Sequence, residues 1–125
     1  MKTLIHSDHA PKALGPYSQA VQYGDLVFLS GQVGIDPETG KFADGGVEEQ
    51  THQVIKNLTA VLAAAGLDRA NILKTTIFLA SMTDFQKVNG VYGDYFSDNP
   101  PARATVEVSG LPLGALVEIE AVAAK

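Results

Sequence analysis

Two stretches near the end of the chain carry groups capable of chemistry at alternate positions. In the run from Arg103 to Ser109, the polar residues Arg103, Thr105, Glu107 and Ser109 alternate with Ala104, Val106 and Val108. In the run from Leu116 to Ala124, Glu118 and Glu120 alternate with Val117, Ile119, Ala121 and Ala123. A period of two belongs to a strand, with side chains thrown to opposite faces. Paired as a hairpin through Gly110-Leu111-Pro112-Leu113, the two strands would set Arg103 across from Glu120 and Thr105 across from Glu118. Ala104, Val106 and Val108 would turn to the core, and one face would carry an arginine, a threonine and three glutamates. Arginine offers a planar fork that grips a carboxylate with two hydrogen bonds and keeps its charge. A glutamate beside it can take a proton from water and return it elsewhere. That pair suits hydrolysis of a small electrophile bearing a carboxylate. A solvated face with cross-strand ion pairs has the same composition, so the pattern alone leaves both readings open.

The remaining candidates are weaker. His6 and His9 have an H-x-x-H spacing without a third ligand nearby, and His52 falls on a predicted helix. Cysteine is absent, so neither a disulfide nor a thiolate metal site can form, and no metal site is expected. No Ser–His–acid set suggests itself. Ser30-Gly31-Gln32-Val33-Gly34 lacks the following helix that a phosphate loop requires, and reads as a turn or bulge.

These strands need elements to hold them. Leu26-Val27-Phe28-Leu29 reads as a strand that is apolar on both faces. Asp36-Pro37-Glu38-Thr39-Gly40 reads as a turn joining two antiparallel strands. From Val47, the residues Val54, Ile55, Leu58, Val61, Leu62 and Ala65 recur on one helical face. Glu48 and Glu49 favour its first turn, and Gly66 its exit. Ile72 to Ala80 reads as a strand centred on Thr75, Thr76 and Ile77. A second helix is predicted to start on a Thr83/Gln86 capping box. Its apolar stripe is Phe85, Val88, Val91, Tyr92, Tyr95 and Phe96, and Pro100-Pro101 ends it. Gly90 and Gly93 weaken it by about 1 kcal/mol each, so packing must hold it. The order of elements predicts an α+β fold, a sheet with both helices packed on one face.

The bulk properties narrow the function. A chain of 125 residues is expected to form one domain spanning residues 1–125. A net charge of −5, with lysines and arginines scattered, makes nucleic acid an unfavoured partner. No apolar run approaches the ~18 residues of a membrane span, and the first nine residues do not read as a signal core. A cytoplasmic protein is the expectation.

Several short motifs, taken together and in order, carry a resemblance along the full length. They are Gly15-Pro16-Tyr17-Ser18-Gln19-Ala20, Ser30-Gly31-Gln32, Lys74-Thr75-Thr76, Asp84-Phe85-Gln86-Lys87-Val88-Asn89, Pro101 to Val108, Leu111-Pro112 and Val117 to Ala121. The chain resembles the reactive intermediate imine deaminases, the RidA or YjgF-type family. The resemblance implies a chorismate-mutase-like fold, a mixed sheet with two helices on one face. It also implies a homotrimer with ligand clefts between subunits.

The activity it implies is that of a 2-iminobutanoate/2-iminopropanoate deaminase. Such an enzyme hydrolyses 2-aminoacrylate- and 2-aminocrotonate-type enamines and their imines to 2-keto acids and ammonia. No cofactor is implied, because no redox step or electron sink is needed. Carried over, Arg103 corresponds to the carboxylate-binding arginine and Glu118 to the glutamate that positions and activates water. Tyr17, Ser30, Gly31, Asn89 and Thr105 match other cleft positions. Position 105 is often cysteine in the family, so thiol chemistry there is lost. Some relatives are described as ribonucleases, translation inhibitors or metabolite-linked regulators. A small-metabolite-binding regulator is therefore the alternative, with an endoribonuclease disfavoured by charge.

Overall fold

The computed structural model describes residues 1–125. Its strands are β1 (Thr3–Ile5), β2 (Ala20–Tyr23), β3 (Leu26–Val33), β4 (Ile35–Asp36), β5 (Lys41–Phe42), β6 (Ile72–Leu79), β7 (Ala102–Glu107) and β8 (Val117–Ala124). Its helices are α1 (Val47–Ala64) and α2 (Phe85–Phe96). Six strands make one sheet in the order β1-β2-β3-β8-β6-β7. Only β6 and β7 run parallel; the other neighbours are antiparallel. β4 and β5 pair separately across the predicted turn, where Gly40, at φ 73°, donates its N–H to Asp36 O. The α+β class and the mixed sheet are as expected from the sequence.

Alternation decides which face is covered. Val27 and Leu29 of β3, Ile77 and Leu79 of β6, and Val117, Ile119, Ala121 and Ala123 of β8 are buried. They join Val54, Ile55, Leu58, Val61 and Leu62 of α1 and Val88, Tyr92 and Phe96 of α2 in one core. Burying a large aliphatic side chain contributes roughly 1.5–3 kcal/mol, so this face holds both helices. α1 ends as predicted: Gly66 takes φ 75°, and the Leu67 N–H returns to Leu62 O over 2.9 Å. Buried Asn57 of α1 donates to Val33 O and Ile35 O at 3.1 and 2.9 Å, pinning the bend between β3 and β4.

The other face has no layer over it. Leu4, Val21, Phe28 and Val122 lie in register across β1, β2, β3 and β8. Leu4 is 63% exposed and Phe28 48%. The expectation that Leu26 to Leu29 is apolar on both faces holds.

The β7–β8 hairpin does not form. β7 lies parallel to β6, reached through α2 as the crossover that parallel neighbours require. β8 lies on the other side of β6 and also pairs with β3. The linking segment rounds the end of β6: the Val108 N–H donates to Leu79 O, and the Ala80 N–H donates to Leu116 O. The inner face of β8 is fully apolar and takes a central place with a neighbour on each side. β7 has five of its six residues exposed and takes the edge.

The faces of β7 are also opposite to expectation. Arg103 and Thr105 stand in register with Thr75 and Ile77, both buried under the helices. Ala104 and Val106 turn to the uncovered face, and Val106 is 42% exposed. The Thr83/Gln86 capping box is absent as well. Ser81 caps a short 3₁₀ turn, Met82–Asp84, by accepting the Thr83 N–H at 3.3 Å, and α2 follows directly.

Candidate functional site

One half of the site lies on the uncovered face. The register of β3 against β8 passes from Leu29↔Ala121 to Gln32↔Ile119, so Ser30 and Gly31 together oppose Glu120. This is a β-bulge, one of the two readings left open for that segment. A Cβ on Gly31 would lie 2.8 Å from Glu118 Oε2 and 2.9 Å from its Cδ. Only glycine lets the Glu118 carboxyl rest against the strand.

The Ser30 hydroxyl donates to Ser18 O at 2.6 Å, and the Ser30 N–H to Gln19 O at 3.0 Å. The bulge therefore holds the loop that carries Tyr17. Buried Gln19 secures the far side of that loop, accepting the Ser7 N–H and donating to Ser7 O and Pro11 O. Tyr17 is half exposed, and its phenol oxygen accepts the Leu14 N–H at 3.4 Å. Tyr17, Ser30, Gly31, Glu118 and Glu120 line a groove of about 490 Å³, with Leu14, Val33, Ile35 and Leu113 as apolar wall.

Burial raises the pKa of Glu118 above the ordinary glutamate value, and the charge of Glu120 raises it further. A carboxyl-detected NMR titration should therefore place the Glu118 midpoint above that of an exposed glutamate. Glu120→Gln should lower the midpoint by removing the like charge. A Glu118 midpoint that ignored Glu120→Gln would mean the two carboxylates are not coupled.

The other half lies on the helix side. Arg103 Nη1 donates to Asn89 Oδ1 at 2.7 Å. The Arg103 Cζ lies 5.0 Å from the ring centre of Tyr92 and 5.7 Å from that of Phe85. Asn89, Tyr92 and Arg103 line a recess of about 430 Å³ closed by Phe96, Pro100 and Pro101. Two residues along β7, the Thr105 hydroxyl is buried without a hydrogen-bond partner.

Six of the seven residues singled out from the sequence form two groups, and Thr105 lines neither. Tyr17, Ser30, Gly31 and Glu118 meet in the groove, and Arg103 and Asn89 meet in the recess. No residue lines both. Arg103 and Glu118 project from opposite faces of one sheet, so a single chain does not bring the two together. The sequence reading missed Phe85 and Tyr92 as neighbours of Arg103. Both were assigned to an apolar stripe, yet Phe85, Asn89 and Tyr92 are spaced i, i+4 and i+7, which sets them on one helical line. The histidines stay apart: His6 Nε2 bonds Asp8 Oδ1 and His52 Nδ1 bonds the Tyr95 hydroxyl. No three His, Asp or Glu side chains gather as metal ligands. No helix is long and apolar enough to cross a membrane.

Fold and side chains together define a small α+β protein with an arginine in a recess on one face of its sheet and a half-buried carboxylate in a groove on the other. The family model described as Endoribonuclease L-PSP matches residues 7–125. The chain belongs to that family, the YjgF/RidA family, and has its chorismate-mutase-like fold. It is 57% identical over 121 residues to protein DfrA of Myxococcus xanthus, covering 95% of this chain and 92% of that protein. It is 50% identical over 123 residues to a mouse protein named 2-iminobutanoate/2-iminopropanoate deaminase, covering 98% and 91%. Among solved structures, RidA from an Antarctic Psychrobacter superposes with a TM-score of 0.95 at 41% identity, covering 98% and 99% of the two chains. The YjgF gene product of E. coli gives 0.94 at 39% identity, covering 98% of each.

Proposed function

We propose that this protein hydrolyses 2-enamine and 2-imine acids, of the 2-aminoacrylate and 2-aminocrotonate type, to 2-keto acids and ammonia. The observation that carries this reading is the Glu118 carboxyl, held against Gly31 in a groove that raises its affinity for a proton. A carboxylate with a raised pKa is a stronger base toward water. The name of the mouse relative supports the same chemistry. The guanidinium of Arg103 supplies the complementary part, an orienting grip on the substrate carboxylate.

The enamine first tautomerises to the imine. Water attacks the imine carbon: a C–O bond forms, the C=N pair moves to nitrogen, and Glu118 takes the proton from water. That proton then passes to the amine nitrogen of the carbinolamine. Glu118 then takes the carbinolamine's hydroxyl proton and delivers it to the same nitrogen; the C–N bond breaks as the carbonyl forms, and ammonia leaves. Tyr17 lies over the groove, and Thr105 and Gly31 offer polar groups near the substrate. No metal or cofactor takes part in these steps.

The division of Arg103 and Glu118 between two faces supports a site made by two chains. The apolar, unlayered face at Leu4, Phe28 and Val122 supports assembly too, since contiguous exposed apolar surface marks contact sites. We assign a homotrimer, the number the resemblance implies, with each cleft taking Arg103 from one subunit and Glu118 from its neighbour. A net charge of −5 and the small cleft favour a small substrate over RNA, despite the family description. We assign the activity to the cytoplasm, with the whole chain as one domain.

The direct test adds the protein to a serine or threonine dehydratase reaction and follows ammonia. Release should accelerate, with 2-keto acid formed in step. Release unchanged over a wide range of protein concentration would overturn the reading.

A further inference from the structure

We infer that Tyr92 and Phe85 are positioning residues for Arg103: their rings hold the guanidinium so that its free N–H groups meet a carboxylate already aimed. The inference rests on the proposed role of Arg103.

An arginine on an edge strand is ordinarily mobile. Arg103 belongs to β7, where five of six residues are exposed. A long side chain left free must be immobilised when a ligand binds, at a cost in affinity. Here one helical line restrains it in advance. Phe85, Asn89 and Tyr92 of α2 supply a ring, an amide oxygen and a second ring to the same guanidinium, at 5.7, 2.7 and 5.0 Å. The Asn89 oxygen occupies one edge of the fork at Nη1, and the rings bear on the cation. Arginine favours such ring contacts because its guanidinium is flat and weakly hydrated.

Tyr92 is fixed from behind. It is 4% exposed, and its hydroxyl lies 2.7 Å from that of Thr75, which is 1% exposed. Thr75 is the residue of β6 in register with Arg103. The hydroxyl pair therefore ties the ring to the strand beside the one that carries the arginine. Leucine would fill apolar space at position 92 without a polar atom to satisfy. A buried tyrosine hydroxyl requires a partner, and the Thr75–Tyr92 pair supplies it where it also fixes the ring beneath Arg103. Burial raises the Tyr92 pKa, so the phenol stays protonated at neutral pH and the bond to Thr75 persists.

The test uses 2-ketobutyrate as the carboxylate probe, with Kd from NMR titration and kcat and KM from imine hydrolysis. Tyr92→Leu should raise Kd and KM roughly 5- to 30-fold, the range of a partly desolvated cation–ring contact. Its kcat should stay within about twofold, because the proton acceptor is untouched. Tyr92→Phe keeps the ring and should recover most of the affinity. Phe85→Leu, at a partly buried position, should act in the same direction more weakly and serves if Tyr92→Leu does not fold.

Arg103→Met separates positioning from packing. In that background, which lacks the cation, Tyr92→Leu should weaken binding no further. An equal factor with and without Arg103 would make Tyr92 a structural residue and overturn the inference, as would an unchanged Kd in Tyr92→Leu. If Arg103→Met itself bound 2-ketobutyrate like the parent protein, the role of Arg103 would fall first, and this inference with it.

Discussion

Two inactive variants should restore activity to each other. Arg103→Ala removes the proposed anion holder and Glu118→Gln the proposed base, so each alone should be nearly inert. Within one chain the two residues stand on opposite sheet faces. If a cleft takes Arg103 from one subunit and Glu118 from the next, some clefts of a mixed assembly contain both native residues. In a closed ring joined head to tail, random mixing of equal amounts gives about one cleft in four of that kind. Chains refolded together, or expressed together, should therefore recover about a quarter of the parent activity from a background near zero. Light scattering should give the mass of three chains, and distinguishable tags would verify that the assemblies are mixed. Mixed assemblies that stayed inactive would show that each site is built within one chain, and would end the shared-cleft reading.

The second large effect belongs to Glu118→Gln by itself. The shape of the side chain is kept and the proton acceptor is lost. A positioned general base contributes about 10²–10⁴-fold, so kcat for imine hydrolysis should fall by that amount while binding of a 2-keto acid persists. Stability should move the other way. The folded-state pKa of Glu118 is raised, first by burial and then by Glu120. A carboxyl of that kind favours the folded state when protonated, and this contribution is lost as pH rises from the unfolded pKa through the raised folded one. Glu118→Gln should therefore raise the Tm at pH 7, and the advantage should vanish below the unfolded pKa, where the native carboxyl is neutral too. Full turnover by Glu118→Gln would move the assignment to Glu120, two residues on and on the same face. Turnover untouched by either glutamate, with ligand binding still governed by Arg103, would favour a metabolite-binding regulator.

Much of the fold was legible because burial imposes a period. The apolar spacing of α1, the Asp36–Gly40 turn and the alternation of β8 each follow from local rules, and each formed at the expected residues. Strand pairing followed no local rule. β7 and β8 are adjacent in sequence, and a segment containing Gly110 and Pro112 suggests a hairpin between them. What separates them is β6, more than twenty residues upstream of β7. β8 gains two neighbours by entering between β3 and β6, and alternation within β8 cannot report that. The same error moved Arg103 to the wrong face, since facing was inferred from Val106 and Val108 as core residues. The groove was more legible than the recess. Glu118 has its own strand pattern, whereas Arg103 depends on ring contacts from Phe85 and Tyr92 that apolar periodicity hides among core residues.

The bulge at Ser30-Gly31 also changes how the chain keeps count. Before it, the inward residues of β3 are the odd ones, Val27 and Leu29; after it, the inward residue is Gln32, an even one. The two halves of β3 are out of phase by one residue, and the bulge is where the phase is reset. A deletion of Ser30 or Gly31 would take out the extra residue, and plain alternation would then leave Gln32 still opposite Ile119 and still inward. What would be lost is the bulge itself, with either the Ser30 hydroxyl that holds the Tyr17 loop or the glycine that gives the Glu118 carboxyl its room. The chain between β7 and β8 has no such arithmetic to preserve. Changes of length there alter only the path around the end of β6, so natural variation in length has far more room in that segment than at the two residues beneath the carboxylate.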